Sequence, residues 1–287
     1  HIVNENIMLV GPPSCGKTTV VKAIIDTLSI VGIVTDGTQL KNNNTIADSI
    51  LSAWAKKCVL EPKEDYDGIL LYEIPSCIVF VDEIHALPKA AQDGLLKATE
   101  RKDGMLFSKK YVLNCKKVFW IGATTDWGKL IPAFRTRFRR IDLEAPTFKQ
   151  VTQMVKGEMK WDDNVSNEVV KYGGLVPREA LSFARAVKSS ALRSETSLIE
   201  SIKEVAKREG IDEFGMKAQR LRILLALKDQ EKGLMLRSLV YSTKLMKEEL
   251  TLFWLPPMLT GKNPLVIFDG NYYISREGTN ELEKRGL

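Results

Sequence analysis

Short, continuous apolar runs punctuate the first half of the chain: Ile7-Met8-Leu9-Val10, Ile30 to Thr35, Ile78-Val79-Phe80-Val81 and Val118 to Ala123. The first two read as short strands, and the last two, without polar alternation, as strands buried within a parallel sheet. Helical spacing fills the gaps between them. Val20, Val21, Ile24, Ile25 and Leu28 form a stripe in Thr19 to Leu28; Ile46, Ile50, Trp54 and Cys58 recur every fourth residue; Ala91, Leu95 and Ala98 share a face in Pro88 to Arg101. Strands alternating with helices predict a doubly wound α/β domain. Gly37 to Asn44 is a polar loop, and an acidic loop from Glu61 to Asp67 leads into the short apolar segment Ile69 to Tyr72. Gly104 to Lys117, basic through Lys109, Lys110, Lys116 and Lys117, reads as a hairpin.

Ala145-Pro146-Thr147 breaks this pattern, and everything from Phe148 to about Asp212 reads as helical. Gly173-Gly174 interrupts it, and Pro177 opens a helix with Leu181, Ala184, Val187 and Ala191 inward. The tail reads as three helices (Met216 to Lys228, Leu234 to Tyr241, and Thr243 to roughly Leu255) followed by two apolar segments around Asp269-Gly270. Asp-Gly between such segments signals a type I′ hairpin. Three helices and a hairpin predict a winged helix, a module that enters a DNA groove or docks protein. Three domains follow: 1–145, 146–212 and 213–287.

The chemistry concentrates between the first strand and the first helix. Gly11-Pro12-Pro13-Ser14-Cys15-Gly16-Lys17-Thr18 is a full phosphate-loop pattern in the strand–loop–helix context that gives it meaning. Backbone N–H groups at a helix N-terminus make an anion nest, and glycines let the backbone close on phosphates. Lys17 is positioned to reach the β- and γ-phosphates and the Thr18 hydroxyl to ligate Mg²⁺, with Thr19 continuing the nucleotide-binding stretch; Cys15 fills a variable position. Asp82-Glu83 ends the strand 78–81, where open α/β sheets place their ligands. Asp82 is the candidate Mg²⁺ residue and Glu83 the residue that polarises the attacking water. An N-cap role explains one of these acids, not both. His85 reads as a capping or packing residue beside Asp82. Lys129 to Arg140 carries Arg135, Arg137, Arg139 and Arg140 without an acid, after a strand that ends near the nucleotide. Arg178 lies in the first turn of a helix, against the dipole; neighbouring Glu179 softens that cost, and a nearby anion explains the placement better.

Composition narrows the class without deciding it. The 287 residues exceed one typical domain, and 44% hydrophobic with 27% charged content is ordinary for globular chains. A net charge of +6 permits a polyanionic partner. Cys15, Cys58, Cys77 and Cys115 are scattered, and with only His1 and His85 a zinc site or disulfide framework is not expected. Scattered cysteines fit a reducing cytosol, the expected compartment; no apolar stretch is long enough for a membrane-spanning helix and no signal peptide is evident. The first strand begins almost at His1, so a trimmed upstream segment is expected and the residues that read the base are not identified.

GPPSCGKT, IVFVDEIHAL, WIGATTD, AFRTRF and VPREA, in that order, resemble the AAA+ ATPases. Within that family they are most similar to the motors that drive branch migration of DNA junctions, and the likeness extends through GIDEFGMKAQRLRILLAL and FWLPPML in the tail. The resemblance implies an AAA+ P-loop core, a helical lid and a C-terminal winged helix. It implies ATP and Mg²⁺ as cofactors, with Lys17 and Thr18 as Walker A residues and Asp82 and Glu83 as Walker B. Thr125, beside Thr124, matches sensor 1, and Arg178 matches sensor 2. Arg137 matches an arginine finger acting in trans, with Arg135 as the competing candidate. A shared site implies a homo-oligomeric ring, expected as a hexamer, acting on junction or duplex DNA, with a junction-binding protein as a partner that the hairpin 104–117 could meet. The wing tip, Asp269-Gly270-Asn271, departs from the family's arginine-bearing wings, with only Lys262 and Arg276 flanking it. A clamp-loader-like ATPase and a nucleotide-controlled switch or scaffold that holds protein through its tail are the alternatives.

Overall fold

The structure, a computed structural model, describes residues 5–56, 60–64, 69–100, 102–259 and 264–287. It divides into two units, His1–Glu144 and Ala145–Leu287. The first holds β1 (Ile7–Val10), α1 (Lys17–Leu28), β2 (Val31–Asp36), α2 (Asn43–Ala55), β3 (Lys63–Glu64), β4 (Leu70–Glu73) and β5 (Cys77–Asp82). There follow α3 (Lys89–Ala98), β6 (Met105–Phe107), β7 (Tyr111–Asn114), β8 (Val118–Thr124), α4 (Pro132–Arg135) and β9 (Arg139–Asp142). The main sheet runs β2-β5-β8-β1-β9 with every pairing parallel.

The uninterrupted apolar runs have a direct cause, because alternate residues of one strand feed two cores. Met8, Val10, Val79, Val81 and Trp120 pack with Ile46 and Ile50 of α2 and Leu95 of α3. Leu9, Ile78, Phe80, Ile121 and Ala123 pack on the opposite face with Val21 of α1. Each side chain named here is therefore removed from water, worth roughly 1.5–3 kcal/mol for a large apolar residue; β2 differs, with Val34 exposed.

The hairpin foreseen over 104–117 forms as β6–β7, but it does not stand alone. β4, the apolar segment near 69–72, pairs parallel with β7 and antiparallel with β3, giving a second sheet ordered β3-β4-β7-β6. α2 ends at Ala55 and α3 at Ala98. Cys58, Arg101, His1 and part of the acidic loop lie outside the described residues.

The second unit begins with α5 (Phe148–Met159), α6 (Asp163–Gly173), α7 (Pro177–Ser194) and α8 (Leu198–Arg208). Capping boxes start two of them: Thr147 with Gln150 at α5 and Ser197 with Glu200 at α8. Each reciprocal pair satisfies helix N–H groups that have no partner inside the helix. One apolar cluster joins these helices through Val155, Val169, Phe183 and Val205. A second joins α9 (Ala218–Leu227), α10 (Leu236–Thr243), the segment that α11 (Lys247–Glu249) leads into, α12 (Leu255–Leu259), β10 (Val266–Asp269), β11 (Asn271–Ile274) and α13 (Arg276–Glu283).

The tail differs from its sequence reading in three respects. Thr243 closes α10, its hydroxyl bonded back to Leu239 O at 2.7 Å, so the third helix starts later, at Lys247. That helix widens into a π turn over Leu250–Trp254, where Leu255 N–H reaches Leu250 O. Pro256 and Pro257 follow; they bring no N–H to bond back to the carbonyls four residues earlier, and the widened turn accommodates them. The β10–β11 turn is not type I′. Asp269 pairs with Asn271 across Gly270, and of these three only Gly270 has positive φ (73°), whereas type I′ needs two such residues. α13, capped by Ser275, was not anticipated. Lys262 lies outside the described residues.

Asp212 ties the two clusters of this unit together. It accepts from the backbone N–H groups of Phe214 and Met216 and pairs with Arg285 at 2.7 Å; Arg285 in turn holds Glu281 at 2.8 Å. Burial pushes the Asp212 carboxyl up, but Arg285 and the two N–H groups outweigh it and leave it below the ordinary 3.8. A depressed carboxylate adds stability above its unfolded pKa and loses it as pH falls through the folded value. Asp212→Asn should therefore melt below wild type at neutral pH, by about 4 °C or more if 1–2 kcal/mol is lost. The gap should close below about pH 4, measured by circular dichroism melts across the acid range. A gap independent of pH would show that the ion pair is not its source.

Candidate nucleotide and catalytic site

Because β1, β8 and β5 run parallel side by side, their C-terminal ends share one edge of the sheet. The phosphate loop leaves β1 at that edge, and Gly11 N–H bonds to Thr124 O at the end of β8 (3.2 Å). Ser14 (φ 59°) and Gly16 (φ 93°) are left-handed, and such alternation turns successive N–H groups into one concavity. The Gly16 conformation is costly for any residue with a Cβ. α1 then begins with no acid in its first turn and no side-chain cap, leaving the positive end of its dipole to an anion. Lys17 is only 6% exposed and lies across the loop, donating to Gly11 O (2.9 Å) and Pro12 O (2.8 Å). Cys15 Sγ is 3.9 Å from the same ammonium. Pro13 and Thr19 are exposed at the rim.

Thr18 Oγ1 donates to Asp82 Oδ2 at 2.5 Å, joining the start of α1 to the end of β5. This places two hard oxygen donors together, which suits Mg²⁺, an ion that takes few protein ligands and keeps waters and substrate phosphates. The next residue, Glu83, is left-handed (φ 44°), an uncommon conformation for a residue with a Cβ. Its neighbour in space is Gly37, whose N–H bonds to Asp82 O (2.7 Å) and whose position admits no Cβ: one would stand 2.5 Å from Glu83 O. The Glu83 side chain caps nothing on the short turn Ile84–Ala86 that follows, so the N-cap reading of the acid pair fails. Instead Glu83 Oε2 accepts from Thr125 Oγ1 (3.3 Å) and faces His85 Nδ1 (3.2 Å). His85 is therefore not a cap beside Asp82. It bridges Glu83 and the fully buried Thr124, whose Oγ1 is 3.0 Å from Nδ1. Neither this contact nor the part played by Gly37 left a local signal in the sequence.

The arginines separate by what holds them. Arg135 donates to Leu130 O (2.8 Å) and Gly128 O (2.7 Å) and lies against Trp127, so its guanidinium braces its own loop. Arg139 pairs with Glu5, and Arg140 with Asp142. Arg137 makes one half-exposed pair with Glu100 (3.0 Å), and its carbonyl accepts from Asn6 Nδ2 (3.4 Å). Asn6 precedes β1, whereas the phosphate loop follows it. Four strand residues, about 13 Å at 3.3 Å each, thus separate the two ends. Arg137 lies at the opposite edge of the sheet from Lys17, Thr18, Asp82, Glu83 and Thr125. Arg178 belongs to the second unit, exposed in the first turn of α7.

Residues 7–145 match the family model of the ATPases associated with various cellular activities, AAA. Over 296 aligned residues the chain is 24% identical to the Holliday junction branch migration complex subunit RuvB of Mycoplasmopsis pulmonis, spanning 98% of this chain and 87% of the relative. With the RuvB of Thermotoga petrophila it shares 28% identity over 234 residues, which are 75% of this chain and 64% of that protein. Among solved structures, the Thermotoga maritima RuvB Holliday junction branch migration motor superposes with a TM-score of 0.71 at 22% identity, over 97% of this chain and 87% of that one. The parallel α/β sheet and its flanking helices are thus the AAA architecture.

The pairing of Gly37 with Glu83 yields a prediction at some distance from the nucleotide loop. Gly37→Ala should displace Glu83 while sparing the loop, lowering ATP turnover roughly 10- to 100-fold, the scale of a 1 Å misplacement. Binding of a fluorescent ATP analogue should change by less than about threefold. Equal loss of binding and turnover would place the damage elsewhere.

Proposed function

We propose, from the premise that this chain is an ATPase of the AAA family over residues 7–145, that it works as a RuvB-type motor. In this reading ATP hydrolysis drives branch migration or translocation on junction or duplex DNA. One observation carries it: Lys17, Thr18, Asp82, Glu83 and Thr125 gather at one edge of the sheet while Arg137 stands at the other. An arginine so placed serves the phosphates of a neighbouring copy better than its own. A homo-oligomeric ring follows, with six subunits the expected number.

The chemistry is positioning plus electrostatics. The loop N–H groups and Lys17 hold the β- and γ-phosphates. Mg²⁺, when held through Thr18 and Asp82, supplies charge neutralisation between those phosphates. Glu83 accepts a hydrogen bond, and then the proton, from the attacking water, while Thr125 orients that water against the γ-phosphate. Arg137 of the adjoining subunit stabilises charge on the transferring phosphoryl; Arg135, committed to two carbonyls, is the weaker candidate. Arg178, on the helical lid (146–212), would sense the γ-phosphate, and the winged helix (213–287) would meet DNA backbone. A RuvA-like junction-binding protein is the natural partner for the β6–β7 hairpin, where Phe107 is exposed. One observation favours the switch or scaffold reading of the tail: its wing exposes Ile267 (49%) and Phe268 (55%) beside an acidic tip, a surface suited to protein more than to phosphate.

Glu83→Gln should keep nucleotide binding and lose at least about 100-fold in ATP turnover, as removal of the water-activating group requires. Wild-type turnover should rise with four-way junction DNA, and binding should weaken steeply with salt. Persistent hydrolysis by Glu83→Gln would refute the assignment, and indifference to DNA would favour the scaffold reading. Subunit mixing tests the shared site. Arg137→Ala and Lys17→Ala chains, each inactive alone, should regain ATPase activity when combined, since some interfaces then pair an intact loop with an intact arginine. No recovery at any ratio would argue for a site complete within one chain.

A further inference from the structure

We propose that His85 is a positioning residue for Glu83, holding the water-activating carboxylate against a buried anchor, Thr124; this rests on the ATPase reading above. Nδ1 of His85 lies 3.2 Å from Glu83 Oε2 and 3.0 Å from Thr124 Oγ1, and the ring is only 16% exposed. Thr124 cannot drift. It is fully buried at the end of β8, and its Oγ1 already accepts from Asp126 N–H at 2.9 Å. The backbone beneath the imidazole is equally constrained: Ala86 N–H bonds to Glu83 O (2.8 Å), Leu87 N–H bonds to Ile84 O (3.2 Å), and Ile84 and Leu87 are core residues.

The need for such a brace lies in Glu83 itself. Its side chain is flexible and partly exposed, and Gly37 secures the backbone rather than the carboxylate. The Thr125 hydroxyl also donates to it. In the proposed turnover, that hydroxyl is needed by water and the γ-phosphate, leaving His85 as the constant partner. The tautomer follows from the charges. A carboxylate only accepts, so an Nδ1 facing it carries the proton and donates it. The Thr124 hydroxyl oxygen keeps a second acceptor site beside the Asp126 N–H bond and shares that Nδ1 proton, which anchors the ring. His85 touches Glu83 and not the substrate, so its effect belongs on turnover and not on nucleotide affinity.

The test uses the full chain, steady-state ATPase kinetics and binding of a fluorescent ATP analogue. His85→Leu keeps bulk without a donor, and His85→Asn places an amide N–H near the Nδ1 position. We expect His85→Leu to lose roughly 10- to 100-fold in kcat, with KM and analogue Kd within about threefold, and His85→Asn to recover to within a few-fold of wild type. Wild-type turnover in His85→Leu, or faster turnover, overturns the proposal. So does a folded His85→Asn variant impaired about 10-fold or more in kcat, an outcome that stands whether or not His85→Leu folds. If Glu83→Gln abolishes hydrolysis while His85→Leu does not, only this inference falls. If Glu83→Gln hydrolyses normally, the functional reading fails first.

Discussion

The hydrogen bond from Thr18 Oγ1 to Asp82 Oδ2 joins residues 64 positions apart, and the functional edge of this protein is organised around it. It can form only because β5, β8 and β1 are neighbours with one direction, each strand releasing its chain at the same edge. The register carries the arrangement further: Val10 pairs with Thr124, and Val81 with Gly122, so loop, hydroxyls and acid pair emerge at one level. Reversing any one of these strands would send its terminal residues to the far side of the sheet. The cost of desolvating the strands is met by two apolar cores, which is why their sequences tolerate no polar alternation.

A parallel sheet also has a second edge, and this chain places chemistry there too. β9 enters beside Asn6, and the segment before it presents Arg137 next to Glu100. Within one copy, acid and guanidinium are held apart by the length of β1. Under the proposed ring this separation becomes useful, since transition-state charge is then stabilised only where two copies meet correctly. Arg135 shows the contrast: of similar sequence context, it spends its donors on carbonyls of its own loop.

Within the acid pair, the backbone does as much as the side chains. Glu83 adopts a left-handed conformation next to Gly37, in a space where a methyl group would collide with its carbonyl. Strain of this kind persists only when the surroundings over-determine it. Here they do so through Gly37 behind the chain, Thr125 and His85 at the carboxylate, and the core residues Ile84 and Leu87 beneath. The second unit relies on different devices, with capping boxes starting its helices and Asp212 with Arg285 clasping its two clusters.

Local pattern was sufficient for what is local. The phosphate loop, the doubly buried strands, the hairpin near 104–117 and the helices of the second unit all rest on periodicity, glycine and proline placement, or caps, which act over a few residues. The late start of the third tail helix turns on a local bond, Thr243 to Leu239, that the apolar pattern does not mark, whereas the turn at Gly270 follows strand register, Asp269 against Asn271, rather than the Asp-Gly pair. β4 was not legible as a sheet member, since its partner β7 is some forty residues onward. What the amino-acid sequence determined alone is the inventory: which segments are strands or helices, and which residues carry phosphate-binding and acidic chemistry. Tertiary structure alone decided the companionship of those residues: Arg137 paired with Glu100 and Arg135 with carbonyls of its own loop, Gly37 under Glu83, His85 against Thr124. Such contacts are set by strand order and register, and these emerge from packing summed over the whole sheet, which no short window of sequence contains.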